Sequence, residues 1–108
     1  GAANGYYASY GAAKAAIVSY TQYLAGELAP HGINVNCIAP AYINTGRIAT
    51  WSGWDDEDNL RKTLEQVPMD RLGEVEDCAN VVEFFVTDLS GYVTGQTLSI
   101  CGGAIRFR

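Results

Sequence analysis

Only two stretches of this sequence read as β-strands, INVNCIA at 33–39 and TLSIC at 97–101, and helical patterns fill much of the chain before and between them. Two strands joined through helices run parallel, with a right-handed crossover. A parallel pair by itself leaves backbone edges open and covers too little apolar surface, because parallel sheets are built to be buried on both faces. The chain is therefore expected to be the second half of a larger α/β domain, completed by strands preceding Gly1. Its 108 residues allow one domain at most.

The helices follow from spacing. Ala13, Ile17, Tyr20, Leu24 and Leu28 recur at intervals of three and four, predicting a helix over residues 9–29. Val18, Ala25 and several alanines occupy its other sides, so it is apolar nearly all round and needs cover on two faces, from a sheet and from another helix or subunit. APHG ends it, with Gly32 as a left-handed cap. PAYINTGRIATWSGW reads as a long connection. Asp55 and Asp56 open a second helix running to about Val67, and the acidic cluster 55–58 is expected to complement the helix dipole rather than hold a metal. A third helix spans about 75–86, with Val75, Ala79, Val82 and Val86 predicted on its inner face. The expected order is helix, strand, helix, helix, strand.

Several functions are disfavoured. A net charge of -5 with no basic stripe argues against nucleic acid, Arg106 and Arg108 forming no more than a local basic pair near the end of the chain. Cys37, Cys78 and Cys101 are odd in number, widely separated and set in apolar runs, which predicts buried free thiols, no metal site and a reducing, cytoplasmic setting. There is no apolar run long enough for a membrane span and no signal-peptide pattern. The single histidine, His31, belongs to a helix terminus and is expected to be a surface cap. No glycine-rich phosphate loop is present; SGYVTG follows a helix and precedes a strand, the wrong order for one.

Lys14 is the one formally charged side chain from Gly1 to Gly26. An ammonium buried in such surroundings would cost several kcal/mol unless paired. Tyr10 lies one helical turn away, on the same face. A neighbouring cation favours the phenolate and makes tyrosine usable as a general acid/base near neutrality. The ammonium has further donors for a hydroxyl-bearing ligand. With seven tyrosines in the chain, Y-x-x-x-K arises by chance roughly one time in eight, so the spacing alone is weak.

The motifs together are far more specific. Tyr10-x-x-x-Lys14, LAGELAPHGINVNCIAP, YINT, RLGEVEDCANVVEFFVTD and GYVTGQTLSICGG occur in order over nearly the whole chain. This resembles the C-terminal half of the short-chain dehydrogenase/reductase family, nearest in tone to its acyl-carrier-protein reductase and small-alcohol dehydrogenase branches. The resemblance implies a Rossmann-type, doubly wound parallel sheet, with residues 1–108 the C-terminal portion of a single NAD(P)-binding domain. It implies hydride transfer between an alcohol and a ketone, with NAD or NADP as cofactor. Tyr10 matches the catalytic acid/base, and Lys14 the residue that lowers its pKa and holds the nicotinamide ribose. Pro40, Ala41, Ile43 and Thr45 match the segment lining the nicotinamide. Residues 46–68 match a substrate lid, with Tyr42, Ile48, Trp51 and Trp54 as candidate substrate contacts. The first helix and the last strand match contacts of a homodimer or homotetramer.

Three departures bear on these expectations. Ala41 stands where the family usually has glycine, which puts the local backbone in question. Cys101 stands where an aspartate commonly precedes Gly-Gly, and is expected to be a small buried side chain. The family's glycine-rich loop, catalytic serine and relay asparagine would all precede Gly1, so the segment alone is expected to be inactive. A non-catalytic relative or assembly fragment acting through subunit contacts is the competing class. A different α/β binding domain is the third.

Overall fold

The computed structural model describes the backbone of residues 5–106 and the side chains of residues 8–106; Arg108 lies outside the described residues. The strands are β1, Cys37–Pro40, and β2, Thr97–Ile100. They pair in parallel, with Cys37 opposite Thr97 and Pro40 opposite Ile100. The helices are α1, Gly5–Leu28, α2, Gly46–Ser52, α3, Glu57–Leu64, and α4, Val75–Phe85. Short 3-10 turns follow α1 at Ala29–His31 and α4 at Asp88–Ser90.

β1 starts four residues later than expected, for a hydrogen-bonding reason. Asn34 and Asn36 use their side chains where strand backbone was predicted. The Asn34 Nδ2 donates to the Ser90 and Gly91 carbonyls, each at 3.3 Å. The Asn36 Nδ2 donates to the Val93 carbonyl at 3.0 Å, and its Oδ1 accepts from Gln96 N at 3.1 Å. These amides clamp the loop before β2 onto the approach to β1. Regular pairing then runs from the Gln96 carbonyl, accepting from Cys37 N, to the Ile100 carbonyl, accepting from Ala41 N.

Alanine-rich sequence free of proline carries α1 through six turns, and Gly32, at φ 75°, closes the 3-10 turn behind it. His31 is exposed in that turn, as the terminus pattern required. The covered side of α1 is Val18, Thr21, Ala25 and Leu28, with Thr21 and Ala25 buried. This corrects the predicted stripe: Leu24 and Leu28 are partly covered, whereas Ala13, Ile17 and Tyr20 face outward. A helix apolar on several sides gives no single phase, so the sheet selects one of them.

The same holds for α4. Its covered positions are Asp77, Cys78, Val81 and Phe85, whereas the predicted inner residues Val75, Ala79, Val82 and Val86 are exposed, Val86 at 75%. The third departure is α2, which was expected to be connection. Thr45 caps it, its hydroxyl accepting from Ile48 N at 3.3 Å, and Gly53 at φ 70° stops it. The Asp55–Asp58 cluster serves α3 as predicted: Asp56 Oδ1 accepts from Asp58 N and Asn59 N, and Asp58 pairs with Arg61 at 2.6 Å.

The radius of gyration, 16.1 Å, exceeds the ~13 Å expected of a compact chain this long. The exposed surface is 7944 Å², against about 5,800 Å² for a folded monomer of this mass. The excess of roughly 2,000 Å² is comparable to what obligate interfaces cover. Replacing Asn36 with alanine removes two of the side-chain bonds that hold the loop before β2. Asn36→Ala should lower unfolding stability by about 1–3 kcal/mol, measured by denaturant titration.

Candidate functional site

The carboxyl ends of β1 and β2 open onto a cavity of about 290 Å³. Open α/β sheets bind ligands at this end of their strands. One wall is Ala41, Tyr42 and Ile43, directly after β1; residues 99–102 form another, and Met69, Arg71, Gly73 and Asp77 complete it. Two of the predicted cofactor contacts, Ala41 and Ile43, therefore line the cavity, as does the predicted substrate contact Tyr42. Ala41 has no positive φ; the left-handed residue is Tyr42, at φ 60°. Alanine in place of glycine is thus compatible with this backbone, and the strain sits one residue later.

The loop after β1 is held by a parallel bridge between Ile43 and Gly73. Gly73 N donates to the Tyr42 carbonyl at 2.9 Å, and Asn44 N donates to the Gly73 carbonyl at 2.7 Å. Ile43 is straddled by these bonds, so its own N–H and C=O turn away from residue 73. Its carbonyl accepts from Thr45 N at 3.0 Å, and its N–H has no acceptor among the described residues. The Thr45 hydroxyl accepts from Ile48 N and can still donate. An outward amide beside a hydroxyl is a donor set that suits a carboxamide.

Residues 46–68 form two helices around Trp54. Trp54 is buried, and its indole N–H donates to Thr63 Oγ1 at 3.0 Å. Its ring therefore organises the segment's interior. Trp51 is 74% exposed, with the Arg47 guanidinium 4.9 Å from its ring centre, and Ile48 is exposed beside it. The Tyr42 hydroxyl donates to Gln66 Oε1 at 2.9 Å, tying the start of the segment to its end. The segment returns to the sheet where Met69 N donates to the Gly102 carbonyl at 3.0 Å. A Cβ on Gly102, at φ 60°, would lie 2.7 Å from Val67 Cγ1, so this closure requires glycine. Cys101 is buried beneath it as expected, its sulfur within 3.4 Å of both Ile105 N and the Ile105 carbonyl.

Tyr10 and Lys14 lie together on α1, with the ammonium 5.3 Å from the centre of the phenol ring. Lys14 is exposed and Tyr10 is 52% exposed, so the desolvation cost that made Lys14 conspicuous in the sequence is not incurred here. Neither lines the cavity. Among the described side chains of α1 the covered part begins at Val18, and the turns bearing the pair precede it.

Arg71 and Asp77 have no role in the sequence reading, yet the structure pairs them at the edge of the cavity. Arg71 Nη1 donates to Asp77 Oδ2 at 3.0 Å and to the Leu72 carbonyl at 3.0 Å, and Nη2 lies 3.4 Å from Asp77 Oδ1. Asp77 Oδ2 also accepts from Glu74 N at 2.7 Å. The usable signal was an acid three residues into a helix, preceded by an arginine within reach. The hydrogen bond to Asp77, with its charge, holds the Arg71 guanidinium above its usual pKa. The bond from Arg71, then that from Glu74 N, holds the Asp77 carboxyl below its usual range.

The described residues contain no cluster of histidine, cysteine or acidic side chains fit for a metal, and no helix long and apolar enough to cross a membrane. Residues 1–104 match the family profile described as enoyl-(acyl carrier protein) reductase. The chain is 53% identical over 100 residues to a cyclohexanol dehydrogenase of Rhodococcus sp. (strain TK6), covering 93% of the chain and 36% of that protein. It is 41% identical over 100 residues to the 3-oxoacyl-[acyl-carrier-protein] reductase FabG of Escherichia coli K12, covering 93% and 39%. It superposes on an Agrobacterium tumefaciens structure with bound NADP at a TM-score of 0.81 and 38% identity, covering 89% of the chain and 38% of that one. The chain thus spans a little over a third of the length of these relatives.

Asp77 is more acidic folded than unfolded, so its stabilising contribution is complete above the ordinary carboxylate value near 4. It is lost as pH falls through the lower folded value. Asp77→Asn should therefore flatten the acid limb of the stability profile below about pH 4, read by thermal unfolding across pH.

Proposed function

The chain belongs to the short-chain dehydrogenase/reductase family, and from that premise we propose that it is the C-terminal portion of an NAD(P)-dependent oxidoreductase interconverting an alcohol and a ketone. The observation that carries the chemistry is the Tyr10–Lys14 pair, one helical turn apart with the ammonium over the ring. Sequence preceding Gly1 would supply the strands that flank the sheet and a surface over α1. This would enclose the pair and bring it to the carboxyl end of the sheet, where the 40–45 loop lies. The surface excess described above supports that reading, and also supports homo-oligomer contacts through α1 and β2.

A nicotinamide dinucleotide, NAD or NADP, supplies the hydride acceptor or donor when bound; the NADP in the Agrobacterium structure supports the assignment. The Ile43 amide and the Thr45 hydroxyl would hold its carboxamide, Lys14 its ribose hydroxyls, and Pro40 and Ala41 would pack against the ring. In oxidation, Tyr10 Oη accepts the proton of the substrate hydroxyl as the C–H bond at the carbinol carbon is broken. In reduction, Tyr10 returns that proton to the forming alkoxide. Lys14 stabilises the phenolate in both directions. Ile48 and Trp51, outward on α2, and Tyr42, on the cavity wall, are the substrate-facing residues of this reading. Trp54 shapes the lid that presents them. The exposed aromatic and aliphatic pair suits an apolar or ring-bearing alcohol.

The test uses the protein expressed with its native flanking sequence. It should oxidise a secondary alcohol with NAD or NADP, while the 108-residue segment alone shows no turnover. Tyr10→Phe should reduce turnover by about 10²–10⁴-fold and leave dinucleotide binding in place, measured by steady-state kinetics and fluorescence titration. Lys14→Met should weaken both. Full activity in Tyr10→Phe would remove Tyr10 from proton transfer. Absence of dinucleotide binding by the parent protein would favour the non-catalytic assembly role.

A further inference from the structure

Gly73 has no place in the reaction outlined above, yet the loop proposed to face the nicotinamide is fastened through it. The inference drawn from it rests on that reading of the loop. The two bonds of the Ile43–Gly73 bridge leave the Ile43 N–H pointing outward. The approach is close: a Cβ on Gly73 would lie 2.6 Å from Ile43 Cδ1 and 3.9 Å from the Tyr42 carbonyl oxygen. A Cβ here must push aside the tip of the Ile43 side chain, which packs over this backbone-to-backbone approach.

The backbone on either side of Gly73 is itself fixed. Arg71 Nη1 bonds the Leu72 carbonyl just before it, and Asp77 Oδ2 takes the Glu74 N–H just after it. The same two side chains bond each other at 3.0 Å. A capping box needs only the Glu74 and Asp77 side chains on each other's backbone N–H groups. The additional bond from Arg71 to the Leu72 carbonyl restrains the residue before Gly73, which capping of α4 does not require.

We propose that Gly73, clamped on both flanks by the Arg71–Asp77 pair, is a positioning residue that aims the Ile43 amide at the carboxamide of a bound nicotinamide. The pair sets dinucleotide affinity through the backbone of residues 72–74. Sub-ångström errors in such an amide weaken a directional hydrogen bond, so the effect reads out in ligand binding.

The experiment measures the NAD(P)H dissociation constant by fluorescence in the protein with its native flanking sequence. A Tyr10→Phe background keeps turnover out of the reading. Gly73→Ala should weaken binding about tenfold. Adding Ile43→Val, which deletes the Cδ1 atom that a Cβ at position 73 would strike, should restore most of the loss. Arg71→Lys should weaken binding several-fold, because an ammonium cannot bond Asp77 and the Leu72 carbonyl in the same fork geometry. Unchanged affinity in Gly73→Ala, or a loss that Ile43→Val leaves in place, overturns the proposal. A Tyr10→Phe parent that binds no dinucleotide defeats the oxidoreductase reading itself, and this proposal with it.

Discussion

The parallel ladder between β1 and β2 is the interaction on which every other part of this chain depends. It is only four residue pairs long. Its neighbours lengthen it: the Asn34 and Asn36 side chains secure the loop before β2, and the Ala41 N–H continues the pairing past Pro40. Beyond the ladder, the two chain segments that leave its carboxyl ends become the walls of the cavity. The site exists because two strands end side by side and their exits are fastened to a third segment, residues 69–77.

That third segment is where packing and chemistry meet. Met69 is bonded to Gly102, Gly73 to Tyr42 and Asn44, and Arg71 to Asp77. Each bond joins residues remote in sequence or turns the chain within a few residues. Glycine is required at Gly102, where φ is positive and a side-chain carbon would collide with Val67, while at Gly73 a side-chain carbon would press on the tip of Ile43. The cofactor-facing amide of the proposed reaction is thus a by-product of backbone closeness rather than of any reactive side chain.

The Tyr10–Lys14 pair has the opposite character. Its mutual geometry is local, set by one turn of helix, and is complete in this chain. Its surroundings are not local. The side chains stand exposed on a helix whose covered positions, among the described residues, lie in its C-terminal half. In the reading proposed here, the pair acquires a low-dielectric environment and a substrate only when a further layer covers it, which is when an ammonium beside a phenol gains its influence.

The sequence by itself determined the two strands and their parallel sense, three of the four helices and their order, the stop behind the first helix at Gly32, the start of α3 at Asp56, and the family. Short-range propensity, capping chemistry and motif order are properties of neighbouring residues, and neighbours are what a sequence displays. It did not determine which sides of α1 and α4 are covered, because a helix apolar on several sides offers the sheet more than one equally good face. Nor did it disclose α2, the inward turn of Trp54, or the Arg71–Asp77 clamp. Those depend on hydrogen bonds and steric contacts closed by the path of the chain in space. Only the tertiary structure could decide that Ile43 and Gly73, thirty residues apart, would lie backbone to backbone and turn one amide outward.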